Sequence, residues 1–392
     1  MSSSSETGRG KALWLVAAAS LLLGACSTLD KLNPFSSTPA KVKPAELGAF
    51  TPSAEVVTRW QANVGAGGEF VFTPAVVGDS VYAAALDGSL ARFDQGRQVW
   101  RISTGKRLSG GVGSDGKLVA VATPKGEVLV FDAQAGQVAW TATVSSEVLA
   151  APAVGDGMVV VRSGDARLFA FDAANGKRRW VYQRTTPALS LRSHVGVVLA
   201  DRAVLAGFPG GKLVAVAANN GVPLWEVAVA QPKGSTELER IADLASLPLL
   251  DSRQVCAVAF QGRVSCFDIA NGNQLWSRDI SSIAGIAADA RAVYVSDDKG
   301  TVHALDRGSG ASLWKQDKLS LRRLSRPLVV GSYIAVGDYQ GVVHLLRRDD
   351  GAFAARFNTD GGSIVADPQP GTTAADFIVQ TSNGGVYGLS AR

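Results

Sequence analysis

Histidine and cysteine are scarce in this chain, three of each in 392 residues. That leaves little material for a metal cluster. Charge of either sign is thin at 19%, and the balance of 39 Lys+Arg against 34 Asp+Glu gives only +5. No basic run or interleaved aromatic patch goes with it, so nucleic acid is excluded as a partner. There is no Gly-x-Ser-x-Gly, no phosphate-binding glycine loop and no His-Glu-x-x-His, which removes the commonest hydrolytic and nucleotide-dependent chemistries. Long apolar runs are missing too. The best is Ala12–Leu23, broken only by Ser20, too short to span a bilayer but suited to a secretory signal. What the chain does have is 43 glycines and 46% hydrophobic residues, the composition of a globular core rich in tight turns.

Arg9 and Lys11 precede the apolar segment, which ends Leu23-Gly24-Ala25-Cys26. This resembles a bacterial lipobox, cleaved before a cysteine that then carries lipid. Cys26 is thus the expected lipidation site. Ser27, rather than Asp, follows it, which in lipoproteins implies sorting to the outer membrane. The expected organisation is a signal peptide over 1–25, a lipidated Cys26 with a flexible Ser/Pro/Lys-rich tether over 26–54, and a folded body over 55–392.

That body repeats. Lys125-Gly126-Glu127-Val128-Leu129-Val130-Phe131-Asp132 with Gly136 and Trp140 matches Lys299-Gly300-Thr301-Val302-His303-Ala304-Leu305-Asp306 with Gly310 and Trp314. Equivalent turn positions are Gly88, Gly126, Ala166, Gly211, Gly262, Gly300, Gly341 and Gly384, giving eight units of about 40 residues. Each unit supplies four short strands, a to d, in meander order. In the first unit Thr73–Val77 is a, Val81–Ala85 is b, Leu90–Asp94 is c, and the Trp100 segment is d. The b–c glycines are expected to supply the positive φ of two-residue hairpin turns. One such sheet cannot bury both its faces, but eight in tandem can, as the blades of an all-β, eight-bladed β-propeller. The last unit lacks a d strand and the first is preceded by a surplus one, Val56–Val64 with Trp60. The N-terminal strand is therefore expected to complete the last blade and close the ring, leaving no free edge.

The Asp-x-x-x-Gly-x-x-x-Trp pattern resembles the repeats of quinoprotein dehydrogenases. The tryptophans are expected to lock neighbouring blades together. A quinoprotein would also show an adjacent Cys-Cys pair and a calcium-binding acidic cluster, and neither is present. No cofactor is therefore expected, and no enzyme; a quinoprotein-like periplasmic enzyme or ligand-binding propeller is the alternative. His303 and His344 share one repeat position and read as strand residues. Cys256 and Cys266 lie on strands b and c of the fifth unit, where a strict two-residue turn would set Cys256 opposite Phe267. A disulfide and a pair of buried thiols both remain open.

Function is expected where the period breaks. From a d-strand Trp to the next turn glycine is normally 24 to 28 residues, but Trp180 to Gly211 takes 31 and Trp225 to Gly262 takes 37. Both excesses fall on d-to-a connections, on one face, after neighbouring blades. The first contains Pro187-Ala188-Leu189-Ser190-Leu191-Arg192 and the second Ser235 to Asp243. With the lipobox and the eight repeats, these segments resemble the BamB family, lipoprotein subunits of the β-barrel assembly machinery (the BAM complex). The resemblance implies an outer-membrane protein facing the periplasm, docked on the POTRA domains of the barrel-forming subunit BamA beside other BAM subunits, with nascent outer-membrane proteins as further candidates for contact. Carried over by residue, it implies Leu189, Leu191, Arg192 and Asp243 as the contacts; as an acidic group in a polar stretch, Asp243 is expected at a solvated rim. A second acidic residue usual in the family is Ala245 here, which weakens that half of the site.

Overall fold

The computed structural model describes residues 43–392. The predicted signal segment, Cys26 and most of the tether lie outside the described residues. From Pro44 to Arg392 the chain forms one unit of eight four-stranded antiparallel sheets, seven hydrogen-bonded in sequential meander order and the eighth completed by the N-terminal strand. Blade 1 comprises Ala75–Val77, Ser80–Ala84, Ser89–Asp94 and Arg97–Ser103, and blade 3 comprises Ala153–Gly155, Met158–Arg162, Arg167–Asp172 and Arg178–Gln183. In each blade strands b and c are almost wholly buried, whereas d strands such as Val138–Thr143 alternate in exposure. Core apolar side chains thus sit between neighbouring blades, where Val160 and Leu168 meet Val204 and Phe208.

The Trp/Gly/Asp repeat has one mechanical role. Trp140 packs over Gly176 of the next blade, where an added Cβ would lie 2.6 Å from the indole. Its Nε1–H donates to the Ala173 carbonyl at 2.8 Å. Trp100, Trp180, Trp276 and Trp314 donate in the same way to Ala133, Ala218, Arg307 and Arg348. The Asp holds the turn that presents this carbonyl: Asp132 Oδ1 accepts from Gln134 and Ala135 N–H at 2.9 and 2.7 Å. Each of these indoles is satisfied, and all but the partly buried Trp100 are buried as well. His303 and His344 likewise bond their own blades, to Asp297 at 2.9 Å and Asp338 at 3.0 Å. Burial works against the Asp338 carboxylate, but His344, the Val342 N–H and Arg322 hold it below the usual carboxylate range.

The ring closes as the strand count requires. Val56–Asn63 pairs antiparallel with Gly385–Ala391, from Val56 opposite Ala391 to Asn63 opposite Gly385. Three expectations need correction. The b–c hairpins are not two-residue turns. Ala85 N–H bonds the Ser89 carbonyl and Thr123 N–H the Glu127 carbonyl, enclosing three-residue loops whose last member, Gly88 or Gly126, has φ near +93° or +79°. This loop matches strand twist by ending in one left-handed residue.

The same extra residue brings Cys256 opposite Cys266, not Phe267, and the two form a buried disulfide. The folded body also starts earlier than residue 55. Ala45 N–H bonds the Ser320 carbonyl, Arg322 and Arg356 donate to the carbonyls of Ala45 and Gly48, and Leu47 packs into the blade 6–7 core. Phe50 lies 5.5 Å from Phe353, with the Arg356 guanidinium over both rings. Residues 44–54 thus belong to the body.

Candidate partner-binding surface

The ordinary d-to-a connections run over 104–112 and 144–152, but those after blades 3 and 4 run over 184–196 and 229–248. The first starts anchored, with Arg184 forked onto Glu226 of blade 4 at 3.2 and 2.9 Å. It then turns at Pro187 above Gly210 and presents Leu189, 44% exposed. Leu191 is half-buried and Arg192 exposed.

Asp243 is not at a solvated rim. It is 3% exposed, and both its oxygens serve the chain's own backbone. Oδ2 accepts from Leu191 N–H at 2.6 Å and Oδ1 from Gly210 N–H at 3.0 Å. The second insertion therefore reaches under the first and holds it in place. Phe260 N–H bonds the Asp243 carbonyl and Leu244 lies against Gly207, so Asp243 is itself fixed from blades 4 and 5. Ala245 is buried and lines the mouth of the central channel, together with His194 and Asp367. Arg326 approaches Asp367 to 3.6 Å there. No group of three or more His, Cys, Asp or Glu suited to a metal occurs among the described residues.

Arg192 reaches back across the face. Its Nε and Nη2 donate to Glu147 Oε1 and Oε2 at 2.9 and 2.8 Å, and its guanidinium lies 5.6 Å from the Phe70 ring centre. The Arg192 hydrogen bonds hold the Glu147 carboxyl below its ordinary range. The directional charge expected at Arg192 is thus already engaged, and the surface presents an Arg–Glu pair. Sequence reasoning missed Glu147 and Phe70, which come from other blades. It also missed Leu238, at 67% the most exposed large apolar side chain of the second insertion. A signal for it was present: Thr236 and Glu239, three apart, close a capped turn beside it, with Ser235 and Thr236 N–H donating to Glu239 Oε2 at 2.8 and 3.1 Å.

These features define a class: a closed eight-bladed propeller whose chemistry-poor ring displays a preorganised apolar and charged patch built by two insertions. A family model described as outer membrane protein assembly factor BamB matches residues 87–316. An outer membrane protein assembly factor BamB of Bordetella pertussis is 45% identical over 394 residues, covering 100% of each chain. The chain belongs to the BamB family. Among solved structures, the crystal structure of BamB from Moraxella catarrhalis superposes with a TM-score of 0.80 at 26% identity, over 86% of this chain and 100% of that one. A quinohemoprotein alcohol dehydrogenase from Comamonas testosteroni reaches 0.69 at 13% identity over 86% and 76% of the chains, a likeness of fold alone. The relatives it matches are named as outer membrane protein assembly factors.

Proposed function

We propose that this chain is the non-enzymatic scaffold subunit of the BAM complex that docks on the POTRA domains of BamA and so aids insertion of outer-membrane β-barrels. Lipid on Cys26 anchors it to the outer membrane with the propeller in the periplasm. The observation that carries the reading is the Asp243 clasp, which fixes two otherwise irregular insertions into one surface. On it Leu189, Leu191 and Leu238 offer apolar area, and the Arg192–Glu147 pair offers register. A rigid ring with pre-ordered loops loses little entropy on docking. Membership of the family supports the complex; the surface supports the POTRA domains as the place of contact.

Co-isolation tests it: affinity-tagged full-length protein, solubilised from outer membranes, is expected to retain BamA, and loss of BamA at moderate salt with an intact fold would count against the reading. Cys26→Ala is expected to move the folded propeller into the soluble periplasmic fraction in cells lacking BamA. Retention in the membrane fraction of such cells would show that lipid is not the anchor.

A further inference from the structure

A cleft of about 260 Å³ opens under the first insertion, walled by Glu147, Leu149, Ser190, Leu191 and Arg192, with Arg162 in its lining. Arg162 ends strand b of blade 3. Its Nη1 donates to the Val195 carbonyl at 3.1 Å and its guanidinium lies 5.6 Å from the Phe208 ring centre. Its Nε is buried with no hydrogen-bond partner, and no carboxylate lies within ion-pairing distance among the described residues. Arg348 also has an unpartnered buried Nε, but its guanidinium is paired with Asp289, and other inward-facing arginines are matched. Arg322 donates to Asp338, Gln340 and the Ala45 carbonyl, and Arg326 faces Asp367.

Both acids near Arg162 are already committed, Glu147 to Arg192 and Asp243 to two backbone N–H groups. Burial pulls the Arg162 guanidinium down to about 10, against the opposing pull of Asp243, so it is still a cation at neutral pH. A buried Nε–H without an acceptor lowers the stability of the free protein. It becomes favourable when an acceptor arrives.

We propose that Arg162 is a carboxylate receptor within the docking surface, taking an acidic side chain of the partner into the cleft beside Leu191. This rests on the reading of that face as the BamA-docking surface. A carboxylate fits better than a phosphate, because Asp243 already balances part of the Arg162 charge and Glu147 stands in the wall, so a doubly charged group would be repelled more than a singly charged one. The Ser190 hydroxyl in the same wall is a donor for the second carboxylate oxygen.

The test uses the full-length protein and the purified POTRA region of BamA. Arg162→Met is expected to weaken binding about tenfold or more and to flatten its salt dependence, with the unfolding midpoint unchanged or raised. Arg162→Lys is expected to recover part of the affinity. Wild-type affinity in Arg162→Met, with Leu191→Ala still weakening binding, would overturn the receptor while leaving the docking surface intact. If neither variant weakens binding, the docking reading falls as well. Should Arg162→Met fail to fold, the Nε–H resonance of Arg162 in ¹⁵N-arginine-labelled wild type decides the matter. It is expected to shift on adding the POTRA region. A resonance unmoved by that region, or moved only by acetate or inorganic phosphate, would overturn the proposal.

Discussion

Deleting residues 55–64 is expected to cost on the order of 5–10 kcal/mol and to leave a chain that aggregates on warming. The segment supplies the outer strand of the last blade, paired along its length with Gly385–Ala391. It also supplies Val56 and Val64, both buried, and Trp60, whose indole lies against Gly96 of blade 1 and Gly388 of its own blade. Its loss bares the edge of a wholly buried strand, a template for pairing with other chains. The matched control is deletion of 27–43, which spares Leu47, Phe50 and their contacts and is expected to leave the unfolding midpoint unchanged. Equal midpoints for the two deletions in differential scanning calorimetry would contradict closure by this strand.

Asp243→Ala is expected to weaken docking more than Arg192→Ala, the reverse of the order that a solvated-rim acid would give. Removing the carboxylate leaves the Leu191 and Gly210 N–H groups without their acceptor, at about 1–3 kcal/mol for each group that stays buried. The chain is expected to relieve this by local detachment of the first insertion, whose remaining ties to the blades are side-chain bonds such as Arg184 to Glu226 and Arg162 to the Val195 carbonyl. Hydrogen exchange at Leu191 and Gly210 is therefore expected to accelerate about thirtyfold or more, while amides of the blade 3 strands keep their protection. Asp243→Asn retains one acceptor oxygen and should fall between. Unchanged exchange at both amides in Asp243→Ala would show that the clasp does not hold the insertion.

The ring was legible because a propeller writes itself in register. The Trp, the turn glycine and the turn aspartate each have one steric reason to recur, and the stray strand around Trp60 had only one vacancy to fill. The insertions were legible as excess length. Their internal arrangement was not, because length carries no information on what a loop bonds to. Asp243 meets Leu191 from 52 positions away, and an aspartate in a polar stretch reads as solvated until its backbone partners are seen. Glu147 and Phe70 escaped for a related reason: the connections of several blades converge on one face, a neighbourhood that linear spacing does not report. Pro44–Phe50 packs through single residues, Leu47 and Phe50, with no period to detect. The Cys256–Cys266 bridge turned on one residue of loop length, which composition does not fix.

The surface clasped by Asp243 is proposed as the place where the partner docks. The most direct measurement is the affinity of the full-length Leu191→Ala/Arg192→Ala double variant for the BamA POTRA region, taken with its thermal unfolding on the same sample. Truncating hot-spot residues of this kind costs about 2 kcal/mol or more, close to thirtyfold in affinity. At least that loss is expected, with an unfolding midpoint within about 2 °C of wild type, since Leu191 is only half-buried and Arg192 exposed. Unchanged affinity in a folded double variant would contradict it and move the docking site to the channel or the opposite face.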